Sequence, residues 1–195
     1  MKIGRITLSK PNAADPKQDK IDAEIERVIT TFFLDSIQFV SVVVPHDREK
    51  LRAAFVRLCD EEKCPLVLTF GGTGPVADDF TPDISRQIFD REMPGFGEIM
   101  RYYSYERFKV AVLSRATAGV RGQSLIINFP AKPYAVKFCL KLLQEGIVEA
   151  LDQLGGITVT LRGDEIVVPM EKYLPFLKWI RPPVDPDGDR HPMIK

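Results

Sequence analysis

The sequence has few of the side chains that bind transition metals or form disulfides, with two histidines and three cysteines among 195 residues. Cys59, Cys64 and Cys139 show no CxxC spacing, and only His46 and His191 could supplement them, which excludes a zinc framework. An odd number of cysteines among apolar neighbours is typical of reduced thiols in or near a core. The cysteine pattern therefore predicts a reducing compartment, the cytoplasm.

Excess charge of one sign and long apolar runs are also missing. The chain carries 27 basic and 27 acidic side chains, so electrostatics gives no reason to expect a nucleic-acid partner or an acidic membrane surface. No apolar run approaches the roughly 18–20 residues that span a bilayer, and the amino terminus lacks the regions of a signal peptide. We therefore expect a soluble, unexported protein that contacts neither nucleic acid nor membrane.

What the sequence does contain is an alternation of strand and helix patterns. Runs rich in β-branched and aromatic residues occupy positions 3–8, 37–44, 66–70 and 124–129, and apolar residues at helical spacing lie between them. That order predicts an α/β domain with a mostly parallel sheet and helices on both faces. Ligands of such sheets bind beyond the carboxyl ends of the strands.

The last part of the chain predicts two smaller features. Residues 157–161 and 165–168 flank a short Arg-Gly-Asp turn and predict a peripheral β-hairpin. Residues 171–195 contain many prolines and predict an irregular tail. Because 195 residues suit a single domain, we expect one domain at 1–170 followed by this tail.

A glycine loop follows the most apolar of the strand patterns. The strand at 66–70 breaks into Gly-Gly-Thr-Gly at 71–74, and Thr81 before a proline is typical of a helix start. Backbone amides in such a loop can bind phosphate, and the adjacent carboxylates of Asp78 and Asp79 suit a bound cation. The loop is neither a P-loop nor a GxGxxG fingerprint. We favour a ligand site because of the two carboxylates; the alternative is a plain glycine turn.

A second polar segment, 114–122, combines hydroxyls, glycines and two arginines. Arg115 and Arg121 are either exposed surface charges, as most arginines in proteins are, or side chains that bind phosphate oxygens. The residue types alone leave both interpretations open.

Taken together, these segments resemble the bacterial Mog family of molybdopterin adenylyltransferases, which is related to the G domain of gephyrin. Four blocks in the family's order and spacing carry the resemblance: 69–75 with 79–83, 91–98, 113–115 and 125–130. The resemblance covers roughly residues 2–150. The family implies a three-layer α/β/α fold and a homotrimer. It also implies transfer of adenylate from ATP to the terminal phosphate of molybdopterin with Mg²⁺ and release of pyrophosphate, and a molybdenum-insertion enzyme as the next partner.

The resemblance also implies roles for single residues. Asp79 matches the family's catalytic acid and would hold or position Mg²⁺, while Asp78 falls at a variable position. The residues that match substrate- and phosphate-binding positions are Gly71, Gly72, Thr73, Gly74, Thr81, Asp83, Glu98, Ser114, Arg115, Asn128 and Pro130.

Three segments depart from the family pattern. After the second strand the family has Pro-Asp, whereas this chain has His46 before Asp47, so Asp47 is either the second catalytic carboxylate or an ordinary helix cap. Lys10 replaces an aspartate in the first loop, and Ala131 replaces a glycine after the fourth block. The alternative function is therefore a diverged, non-catalytic module of the same fold that binds molybdopterin or a nucleotide.

Overall fold

Six strands form one sheet in the computed structural model, which describes residues 1–9 and 16–162. In chain order the strands are β1 Lys2–Ser9, β2 Gln38–Pro45, β3 Leu66–Phe70, β4 Arg91–Glu92, β5 Ala118–Arg121 and β6 Ser124–Phe129. Their order across the sheet is β2-β1-β3-β6-β5-β4. β2, β1, β3 and β6 run parallel, whereas β5 is antiparallel to β6 and β4 to β5. The predicted mostly parallel sheet is confirmed.

Helices cover both faces of the sheet. They are α1 Pro16–Thr30, α2 Arg48–Val56, α3 Thr81–Ile88, α4 Pro94–Arg107 and α5 Pro133–Gly155. A π-helical turn, Arg57–Glu61, continues α2, and a 3₁₀ helix, Lys109–Leu113, follows α4. α1 and α4 pack on α5, and α2 packs on α3, which gives the predicted three layers. No helix in the described part of the chain is long and apolar enough to cross a membrane.

The core lies on both sides of β3 and β6, in which every residue is buried. A strand covered by helices on both faces has no solvent-facing positions, which explains why β3 reads as a continuous apolar run. Phe70 and Phe129, the last residues of the two strands, stack with ring centroids 5.9 Å apart. This contact fixes the carboxyl ends of β3 and β6 next to each other, where both strands pass into loops.

The three cysteines are buried thiols. Burial raises the pKa of Cys59 to about 12 and the pKa of Cys64 and Cys139 to about 11. All three are therefore protonated at neutral pH and chemically inert. This confirms the prediction of core thiols.

Two elements differ from the prediction. Residues 157–160 form no strand; Leu161 makes a single bridge to Phe33, and the amide of Leu34 donates to the Thr160 carbonyl at 2.8 Å. These residues pair with the segment after α1, so the first strand of the predicted hairpin is wrong. The antiparallel pair β4 and β5 was not predicted, because two and four residues are too few to show a strand pattern.

Several predicted features lie outside the described residues. They are the second hairpin strand, the domain boundary at 170, the tail and Lys10. Within the described residues, Gly156 caps the end of α5 with a left-handed φ of 63°, a conformation that glycine adopts readily.

Candidate active site

The glycine loop leaves β3 at the carboxyl edge of the sheet. Gly71 and Gly72 have φ angles of 95° and 64°, a region that favours glycine, and a side chain at Gly72 would collide with the Thr81 hydroxyl. The amide of Gly71 donates to the Phe129 carbonyl at 3.1 Å, which extends the pairing of β3 with β6. The sequence therefore places the loop correctly, but the Gly71 amide is not free to bind phosphate.

Three amides of the loop remain available. Within the described residues, the N–H groups of Gly72, Thr73 and Gly74 donate to no protein acceptor. Successive unpaired amides in a glycine loop form a concave site for anions, because each N–H carries a partial positive charge. The loop thus has the donors that a phosphate group needs.

A cavity of about 390 Å³ opens beside the loop. Its walls come from the loop, α4, the segment 108–116, the turn after β6 and the first turns of α5. The residues predicted from the sequence that line it are Gly71, Gly72, Thr73, Asp79, Ser114 and Pro130. Six predicted site residues therefore meet around one cavity, and they come from three separate parts of the chain.

Asp79 supplies the carboxylate of this cavity. A methyl group at Gly74 would lie 2.5 Å from Asp79 Oδ2, so glycine at that position is needed for the carboxylate to fold back on the loop. In the described part of the molecule, the Asp79 carboxylate accepts no hydrogen bond and forms no ion pair. The neighbouring Asp78 is exposed and does not line the cavity. Asp79 is therefore a half-buried acid that the protein leaves unneutralised.

Arg115 holds the loop from behind instead of facing the cavity. Its guanidinium forms a bidentate ion pair with Asp83, with Nη1 and Nη2 at 2.8 and 3.0 Å from the two carboxylate oxygens. Nε donates to the Gly74 carbonyl at 2.9 Å, Nη2 also donates to the Asp79 carbonyl, and the Arg115 amide donates to the Thr73 carbonyl at 2.8 Å. Neither Arg115 nor Asp83 is among the residues that line the cavity, and substrate contact by either residue stays a prediction.

Thr81 and Asn128 are buried supports. The Thr81 hydroxyl donates to the Gly71 carbonyl at 3.0 Å. The Asn128 amide nitrogen donates to the hydroxyls of Thr69 and Ser85 at 3.0 and 2.9 Å, and neither Thr81 nor Asn128 lines the cavity. The Thr81 hydroxyl thus holds the loop, and the Asn128 amide nitrogen holds β6 to β3 and α3, whereas the buried Asn128 Oδ1 has no hydrogen-bond partner among the described residues. Substrate binding by Thr81 and Asn128 stays a prediction.

Two further predicted residues lie away from the cavity. Glu98 is exposed on α4 and is not part of the cavity wall. The Asp47 carboxylate accepts from the Lys50 amide at 2.9 Å and caps α2. The neighbouring His46 ring packs edge-on against Phe80, with centroids 6.1 Å apart. Of the two interpretations of Asp47, the helix cap is the one that the hydrogen bonds show.

Sequence reasoning missed four prominent residues of the cavity: Arg101, Phe108, Lys132 and Tyr134. Arg101 also donates to the Ala116 carbonyl at 2.7 Å. Lys132 lies in the turn after β6 and Tyr134 in the first turn of α5, so their place just beyond the carboxyl end of a strand is a signal that could have found them. Nothing in the sequence around Arg101 and Phe108 distinguishes them from surface residues.

The cavity contains binding groups but no strong base or nucleophile. No histidine is among its lining residues in the described chain, and its thiol, Cys139, is neutral because burial raises the pKa to about 11. Its charged groups are Asp79, Arg101 and Lys132. This set can bind and orient anionic substrates and hold a cation, which suits a reaction whose nucleophile is already ionised.

Comparison with known proteins identifies the family of this chain. Residues 34–150 match the family model described as "Probable molybdopterin binding domain". A molybdopterin adenylyltransferase of Helicobacter pylori is 34% identical over 154 residues, 79% of this chain and 88% of that protein. One from Haemophilus influenzae is 38% identical over 141 residues, 72% of each chain.

A solved structure gives the same result for the fold. A molybdopterin biosynthesis enzyme from Thermus thermophilus superimposes with a TM-score of 0.72 at 30% identity, covering 82% of this chain and 99% of that one. The family model matches more than half of the chain, and the Helicobacter relative exceeds 30% identity over most of its own length. This chain belongs to the molybdopterin-binding domain family.

Proposed function

We propose that this protein transfers adenylate from MgATP to the terminal phosphate of molybdopterin and releases pyrophosphate, as part of molybdenum cofactor biosynthesis. The observation that carries the proposal is the position of Asp79, a carboxylate in the cavity wall with no partner among the described residues, next to the cavity-lining residues Gly72 and Thr73, whose amides likewise donate to no described acceptor. The names of the relatives, molybdopterin adenylyltransferases, support the choice of reaction.

In this reaction an oxygen of the molybdopterin phosphate attacks the α-phosphorus of ATP. A new P–O bond forms, the bond from the α-phosphorus to the bridging oxygen breaks, and pyrophosphate leaves with that electron pair. The attacking oxygen is anionic at neutral pH, so a cavity without histidine or thiolate is sufficient. The protein's task is to bring two anionic substrates together and to stabilise charge on the leaving group.

The chain's own residues divide this task between them. The amides of Gly72, Thr73 and Gly74 donate hydrogen bonds to phosphate oxygens, and Arg101 and Lys132, which also line the cavity, add positive charge. The Ser114 hydroxyl and the turn at Pro130 complete the polar lining. Arg115 and Asp83 keep the loop in shape.

The donor set fits a magnesium ion shared with substrate. No group of three or more His, Cys, Asp or Glu side chains suited to a metal occurs among the described residues, which argues against a site built from protein alone. Mg²⁺ is ordinarily held by one or two carboxylates together with substrate phosphates and water. Asp79 would be its protein ligand, and the ion would neutralise charge on the phosphates.

The direct test incubates the purified protein with molybdopterin, ATP and Mg²⁺ and measures pyrophosphate. We expect release that requires all three and a product in which molybdopterin carries adenylate. The alternative function, a diverged module that binds without turnover, is motivated by the changes at Lys10, His46 and Ala131. Binding of both substrates without any pyrophosphate would establish that alternative.

Asp47 is proposed as a cap. Asp47→Asn should leave stability and turnover close to wild type, because asparagine caps helices about as well as aspartate. Asp47→Ala should lower the free energy of unfolding by about 1 kcal/mol, because it loses the hydrogen bond to the Lys50 amide. Urea unfolding and the pyrophosphate assay measure the two effects. A loss of turnover of about 100-fold in Asp47→Asn at unchanged stability would instead assign it as the second catalytic carboxylate.

We further propose a homotrimer that works in the cytoplasm and passes its product to a molybdenum-insertion enzyme. The exposed apolar side chains of Val112 and Leu113, 63% and 53% accessible in the single chain, support contact with another copy. The three reduced, buried thiols support a reducing compartment. Sedimentation of the purified protein tests the trimer.

A further inference from the structure

The residues that line the cavity include two chemically different groups. One group is polar and consists of the glycine loop, Asp79 and Ser114. The other group is aromatic: Phe108 and Tyr134 meet with ring centroids 6.0 Å apart and planes tilted by 46°. Both rings line the cavity, yet they stay 47% and 57% exposed. Half-exposed aromatic rings that border a cavity are not explained by packing of the core.

The two rings come from helices that are separate in sequence and pack against each other, α4 and α5. Phe108 ends α4, and Tyr134 lies in the first turn of α5. The Lys132 ammonium lies 5.9 Å from the centroid of the Tyr134 ring, so a cation and an aromatic face border the same opening. A ligand that carries a flat aromatic ring at one end and phosphate at the other matches this distribution.

We propose that Phe108 and Tyr134 form an aromatic rim that stacks on the planar heteroaromatic ring of a phosphorylated substrate while the phosphates occupy the loop. This inference rests on the proposed function, because two substrates of that reaction carry such a ring: the adenine of ATP and the pterin of molybdopterin. The rim is then a determinant of affinity and specificity, separate from the groups that act on the phosphates.

The test compares ligands with and without the ring by isothermal titration calorimetry. The probes are ATP, molybdopterin and inorganic tripolyphosphate, each with Mg²⁺. Tyr134→Leu and Phe108→Leu should each lower the affinity for ATP or for molybdopterin, or for both, by about tenfold, the order expected for loss of one stacked ring. The affinity for tripolyphosphate should stay the same. Tyr134→Phe keeps the ring and should bind as wild type does.

A matched control is available on α4. Tyr105 is 45% exposed, carries the Lys109 ammonium 4.2 Å from its ring centroid and does not line the cavity. Tyr105→Leu should change none of the three affinities. Because all the substituted rings are substantially exposed, none of these variants removes a core contact.

The pattern of losses identifies the ring. Weakening of ATP alone assigns the rim to adenine, and weakening of molybdopterin alone assigns it to the pterin. The proposal of an aromatic rim is overturned if the variants lose affinity for tripolyphosphate to the same extent. It is also overturned if the affinity for every probe is unchanged, whether or not the oligomeric state shifts. Failure of the proposed function would give a different result. The wild-type protein would bind the probes and the rim variants would bind them more weakly, but the wild-type protein would release no pyrophosphate.

Discussion

Asp79→Asn should remove most of the adenylyl transfer, with a fall in kcat on the order of 100-fold or more. The substitution keeps the size and shape of the side chain and removes its charge. Since Asp79 has no cationic partner in the described part of the molecule, loss of the charge breaks no ion pair of the protein. The free energy of unfolding should therefore stay the same, and only kcat should fall.

Asp78→Asn is the matched control for this experiment. It removes the same charge from the adjacent residue, which is exposed and outside the cavity, and should retain wild-type turnover. Initial rates of pyrophosphate release measured over a range of Mg²⁺ concentrations should show a higher requirement for the ion in Asp79→Asn alone. If the two variants lose activity equally, the effect is one of overall charge and Asp79 has no special role.

The larger part of the fold was predictable because it depends on burial patterns that the sequence shows directly. β3 and β6 are continuous apolar runs since both faces of each strand are covered by helices. The end of α5 was predictable because Gly156 is needed for the left-handed cap. β4 and β5 escaped prediction because they are held by neighbouring strands, and a two-residue strand has no periodicity of its own.

The site was predictable in place and only partly in detail. The glycine loop and Asp79 follow a buried strand, and the rule that ligands bind at the carboxyl ends of strands locates them. The sequence does not say on which side of the loop a polar residue lies. Asn128 and Thr81 are polar residues of the kind found in binding sites, but both are buried: Asn128 donates to Ser85 of α3, and Thr81 donates to the Gly71 carbonyl of the loop. Tyr134 lacks any motif but borders the cavity.

Arg115 shows the same limit and gives the second large effect. The segment that carries it was ambiguous between a surface charge and a phosphate clamp, and the structure shows neither. Arg115 binds carbonyls at both ends of the segment from Thr73 to Asp79 and forms the bidentate pair with Asp83. These contacts hold the loop residues and Asp79 in position.

Arg115→Lys should lower kcat by on the order of 100-fold, because lysine keeps the charge but cannot form the fork that joins Gly74, Asp79 and Asp83. Arg121→Lys is the control: Arg121 forms a comparable bidentate pair with Asp60 at the opposite edge of the sheet, with bonds of 2.6 and 3.0 Å. Both variants should lose about 1–2 kcal/mol in urea unfolding, and only Arg115→Lys should lose pyrophosphate release. Equal turnover in the two would show that the loop keeps its geometry without Arg115.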